Sequence, residues 1–125
     1  MSRSPLILAG VAALMGAAGV ALAAAGVHAS GGDLARTGAL FLLIHAAAAL
    51  AIATHARIAT APGRALILIG FVMEAGAALF SAELAVRAFT GDRLFPYAAP
   101  IGGSTMMISW LALAIVFAAA VRGQN

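Results

Sequence analysis

Four apolar runs, almost free of charge, decide what this chain can become. They extend from Leu6 to Val27, Thr37 to Ala56, Ala65 to Val86 and Leu94 to Val121, and only Glu74 and Glu83 interrupt them with acidic groups. A helix crossing a hydrocarbon core of ~30 Å needs about 20 residues, and each run supplies them. Inside lipid a lone segment must satisfy its own backbone hydrogen bonds, which selects helix over isolated strand. The expected fold is all-α: a polytopic membrane protein whose single domain, 1–125, is an antiparallel bundle of four transmembrane helices at about 5–28, 36–57, 65–89 and 99–121. Composition agrees, because 64% of the residues are hydrophobic and 9% are charged, too few polar groups to cover a water-soluble globule. A soluble enzyme, a disordered chain and a coiled coil are excluded.

Residues 1–29 also have the outline of a secretory signal, with Arg3 ahead of an apolar core and Val27-His28-Ala29 imitating a cleavage site. That core is about twice the expected length, so a retained first helix is expected. The links are short. Ser30-Gly31-Gly32-Asp33 reads as a turn with Asp33 as N-cap, Thr60-Ala61-Pro62-Gly63 as a second turn, and Thr90-Gly91-Asp92-Arg93 with Pro96 and Pro100 as the third link. Phe95 and Tyr97 there read as interfacial anchors.

All seven basic residues are Arg, and they are scattered singly at the ends of the runs, which fits topology determinants and gives no nucleic-acid surface. Arg3, Arg57, Arg64 and Arg122 share a side with the termini, against Arg36, Arg87 and Arg93 on the other. That balance points to both termini in the cytoplasm of a bacterial inner membrane. Without cysteine there is no disulfide, thiolate site or cysteine nucleophile.

Lipid is as apolar as leucine, so the helices must associate through close packing of small residues. Gly16, Gly19 and Gly26 align with Ala12 and Ala23 on the first helix, Gly70, Ala77, Ala78 and Ser81 mark the third, and Gly102, Gly103 and Ser104 open the fourth.

Ionisable groups within lipid are the default functional candidates. Glu83 and Arg87 are spaced for a helical ion pair near the end of the third helix, with ligand or lipid-phosphate binding as the alternative. Glu74 falls near the midplane without a basic residue three or four positions away on its own helix. Charge is costly there, so the first expectation is a protonated acid hydrogen-bonded to a neighbouring helix; the alternatives are proton carrier, ion ligand or subunit contact. Nine residues apart, Glu74 and Glu83 fall on opposite helix faces, which excludes a paired-carboxylate site within one chain. His45 is expected to hydrogen-bond an adjacent helix and His55 to lie near the interface. A metal held by His28, His45 and Glu83 is the alternative, although their spacing matches no compact ligand motif.

Several segments together resemble a known family. Ala23-Ala24-Ala25-Gly26-Val27-His28-Ala29, then His45, Leu79-Phe80-Ser81, Thr90-Gly91, Pro100-Ile101-Gly102-Gly103 and Trp110 occur in the order seen in the DUF423 family of small membrane proteins, with its YwdK-like and transmembrane protein 256-like members. The resemblance covers about residues 10–120 and implies a four-helix membrane protein with no assigned reaction. Two departures stand out. Phe41 and Leu42 occupy the place of a Tyr-Gln pair usual in the family, and Ala82-Glu83 follows Leu-Phe-Ser where small and hydroxyl residues are favoured.

The leading functional expectation is a non-enzymatic accessory, assembly or lipid-interacting subunit of a membrane complex. It would have the bilayer and other membrane subunits, or further copies of itself, as partners, and no cofactor is implied. Alternatives are an oligomer transporting protons or small solutes through Glu74, and a metal-binding protein using His45 and Glu83.

Overall fold

A computed structural model of the chain describes residues 2–58 and 62–124. It contains four α-helices: α1 Ser4–Gly26, α2 Gly32–Ile58, α3 Gly63–Thr90 and α4 Ala98–Arg122. At 23, 27, 28 and 25 residues, all four are long and apolar enough to cross a membrane, and the chain is a multi-pass membrane protein. Thr60 and Ala61 of the expected second turn lie outside the described residues; Pro62 is the N-cap residue of α3.

Helix ends fall within a few residues of the sequence reading except at α2, which begins at Gly32, four residues early. Asp33 therefore lies in its first turn instead of capping it. The cause is close packing. The Gly31 amide donates to the Ala88 carbonyl at 3.3 Å, and the Leu34 and Ala35 amides donate to the Gly31 carbonyl. A Cβ on Gly31 would stand 2.6 Å from the Ala88 Cα, so only glycine lets the chain turn here against α3. At the other end of this link, the Gly26 and Ala35 backbones close in, with a Cβ on Gly26 only 2.6 Å from that of Ala35. Helix α3 ends on Gly91 in the left-handed conformation (φ 76°), whose amide donates to the Arg87 carbonyl.

Helices α2 and α3 form the central pair. Backbone-close packing joins α1 to α2 and α3, and α4 to α3, but not α1 to α4 or α2 to α4. Small residues set each close approach. Gly19 lies under Leu43, Gly38 between Leu22 and Leu84, and Gly70 against Leu8 and Ile52. Helices α3 and α4 cross backbone against backbone: a Cβ on Gly102 would meet the Phe80 amide nitrogen at 2.7 Å and the Gly76 carbonyl at 2.8 Å. Of the packing glycines expected from sequence, Gly19, Gly26 and Gly102 occupy such contacts, whereas Gly16 and Gly103 have room for a methyl group. The wider α2–α4 gap is bridged by rings, His45 to Trp110 and His55 to Phe117.

Candidate functional site

His45 is buried on α2, and both its ring nitrogens are engaged. Nδ1 lies 2.6 Å from the Phe41 carbonyl oxygen, and the Trp110 indole N–H donates to Nε2 at 3.1 Å. A carbonyl only accepts and an indole N–H only donates, so this pattern selects the neutral imidazole with its proton on Nδ1. The Phe41 ring stacks on the imidazole, and Phe80 of α3 tilts against Phe41. The expected interhelical hydrogen bond thus goes to α4. Trp110→Phe leaves Nε2 unpaired. A double-mutant cycle with His45→Phe should return a coupling of about 1 kcal/mol in a detergent unfolding measurement.

The polar pair at the far end of α3 forms the expected ion pair, and Glu83 has a second role beside it. Arg87 Nε stands 3.9 Å from Glu83 Oε1, an ion pair without a hydrogen bond. Glu83 Oε2 instead accepts the Leu94 backbone amide at 2.7 Å. The buried carboxylate ties down the link before α4, where Tyr97 takes a left-handed conformation (φ 69°) as the N-cap residue. Phe95 and Tyr97 are exposed there. Glu83→Ala should speed hydrogen exchange of the Leu94 amide roughly tenfold, and Glu83→Gln, which keeps an acceptor, much less.

Glu74 is buried in the middle of α3, and neither carboxyl oxygen has a hydrogen-bond partner. The expected bond to a neighbouring helix is absent, for a local reason. Glu74 shares its face with Gly70, which meets Leu8 and Ile52, and with Ser81, whose hydroxyl donates to the Gly38 carbonyl at 2.8 Å. From Leu8 to Met15, α1 offers no polar side chain, and its carbonyls serve its own helix. Glu83 lies on the opposite face, toward the α3–α4 link.

His28 is exposed in the first link. Among the described residues no three His, Asp or Glu side chains converge where they would share a metal ion, so the His28, His45 and Glu83 set is not assembled. Sequence reasoning missed Trp110 as the partner of His45, Leu94 as the partner of Glu83, and Gly76 as the partner of Gly102. The signal for Trp110 was available: its indole is the one large side chain with a hydrogen-bond donor in α4 ahead of Arg122 in the last turn.

No solved structure matches this chain. A family model described as a protein of unknown function, DUF423, matches residues 15–103, a span that encloses His28, His45, Glu74, Glu83 and Arg87. With most of its length inside that match, the chain belongs to the DUF423 family.

Proposed function

We propose that this protein is a non-enzymatic subunit that assembles laterally in the bilayer, with another helical membrane protein or a second copy, through the outer face of α1. One contrast carries the reading. Opposite its packed face α1 exposes Gly10, Ala13, Ala17, Ala21 and Ala24 at helical spacing, with Leu14 as a large side chain among them, whereas α4 exposes Ile101, Met107, Ile108, Leu111 and Ile115. Large apolar side chains suit acyl chains; a shallow run of small ones suits the close approach of another helix. In support, His45 and Glu83 spend their hydrogen-bonding capacity inside the fold.

The test is native mass analysis after extraction in mild detergent. The reading expects a dimer or a retained subunit, lost on Ala17→Phe while helical content is unchanged. A strictly monomeric wild type, or an assembly indifferent to Ala17→Phe, would overturn it.

Glu74 favours a second reading, in which an oligomer carries protons or a small solute through its unpartnered carboxyl. Flux into proteoliposomes should then fall on Glu74→Gln; equal flux, or none in the wild type, removes it. For placement, we propose a bacterial inner membrane with both termini cytoplasmic, since Arg3, Arg57, Arg64 and Arg122 outnumber the arginines of the other end. A fluorescent protein fused to the C-terminus should light up in the cytoplasm, and a dark fusion at normal expression would reverse the orientation.

A further inference from the structure

The two ends of the bundle differ in charge more than the arginine count suggests. Arg36, Arg87 and Arg93 share their end with Asp33, Glu83 and Asp92, so formal side-chain charge there sums to zero. Arg3, Arg57, Arg64 and Arg122 share theirs with no acidic side chain. Into this cationic end opens a groove of about 1030 Å³, bordered by Ser2, Ser4 and Arg64 and walled by Ala56, Leu68 and Phe71.

The polar rim of the groove suits an anion. Helices α1 and α3 run parallel, so both N-termini reach this end; neither has an acidic residue in its first turn, and whereas the Ser2 hydroxyl accepts the Ser4 amide of α1, α3 has no side-chain cap. Gly63, Arg64 and Ala65, the first three residues of α3, line the groove, and the amides at that position have no partner within a helix. Among the described residues Arg64 makes no ion pair. Deeper in, the lining turns apolar along Leu68 and Phe71, toward the hydrocarbon.

From this combination we infer that the groove binds an anionic phospholipid of the bilayer, its phosphate held by Arg64 and the first amides of α3, with an acyl chain along Leu68 and Phe71. A free anion would use the rim and leave the apolar wall bare; a zwitterionic lipid offers the same phosphate but brings its own cation to an end whose four arginines have no acidic side chain beside them. Arginine suits phosphate because its planar fork donates two parallel hydrogen bonds. This inference does not depend on the α1 contact proposed above, which lies on another face.

The test is a native mass titration of the full chain in mild detergent with dioleoyl phosphatidylglycerol, dioleoyl phosphatidylcholine or inorganic phosphate. Phosphatidylglycerol should bind at least about tenfold tighter than phosphatidylcholine, and Arg64→Gln should remove that preference. Arg122→Gln, at the same end but outside the groove, should leave it within about fivefold. Phe71→Glu should weaken both lipids, and millimolar phosphate should not compete. Equal binding of the two lipids overturns the proposal. So does equal loss on Arg64→Gln and Arg122→Gln, which would reveal diffuse charge, or displacement by phosphate, which would reveal a free-anion site. Circular dichroism of Arg64→Gln, an exposed residue, should match the wild type, and a failure of lipid binding leaves the oligomer readout untouched.

Discussion

Gly102→Val should destabilise the bundle by about 3 kcal/mol, because it forces two helix backbones apart. The added carbons would occupy space already held by backbone, at 2.7 Å from the Phe80 amide nitrogen and 2.8 Å from the Gly76 carbonyl. Side chains step aside cheaply, but two helix backbones separate only as rigid bodies. Such a separation would strip α4 of its one backbone-close neighbour and stretch the Trp110–His45 bond. Gly103→Ala is the neighbouring control, since a Cβ there meets only the Phe80 ring at 3.9 Å, and its effect should stay within about 0.5 kcal/mol. Unfolding of both variants in graded sodium dodecyl sulfate checks the pair; equal losses would mean that glycine matters here for reasons other than the crossing.

Glu74→Met should act in the opposite direction and raise stability by roughly 1–3 kcal/mol. Methionine nearly matches the glutamate side chain in length and removes two buried oxygens without partners. A residue that lowers the stability of its own bundle is the kind retained for activity, so the same variant separates the two functional readings. Subunit assembly through α1 should survive it; transport through Glu74 should not. A loss of stability would show that the carboxyl has found a partner, and would end the case for an orphaned group.

Much of this architecture was legible because the solvent leaves few choices. Runs such as Leu6 to Val27 had to become helices, and short links had to make them antiparallel. Helix faces were legible too, since Gly19 and Gly26 repeat at helical spacing. Which residue opposes which was not, because the register between helices is set by the partner. Gly76 is one residue from the face that carries Ala77 and Ser81, and nothing local marks it as the point where Gly102 crosses. Partners distant in sequence were hidden for the same reason, as with His45 and Trp110, 65 positions apart. Glu83 escaped in another way. Its partner is the backbone amide of Leu94, a donor every non-proline residue carries and no side chain advertises. The early start of α2 likewise came from a tertiary contact, Gly31 on Ala88, that overrode the usual capping preference of Asp33.

Thiol labelling tests the central claim, four membrane crossings with both termini on one side, most directly. The chain has no cysteine, so each introduced thiol is the only one. In sealed vesicles of one orientation, a membrane-impermeant maleimide should give Ser2→Cys, Pro62→Cys and Gln124→Cys one response. Ser30→Cys and Asp92→Cys should give the opposite response, and Ala77→Cys should stay unlabelled from either side until the bilayer is dissolved. Labelling of Ser2→Cys and Ser30→Cys from the same side, or ready labelling of Ala77→Cys in intact vesicles, would contradict the account.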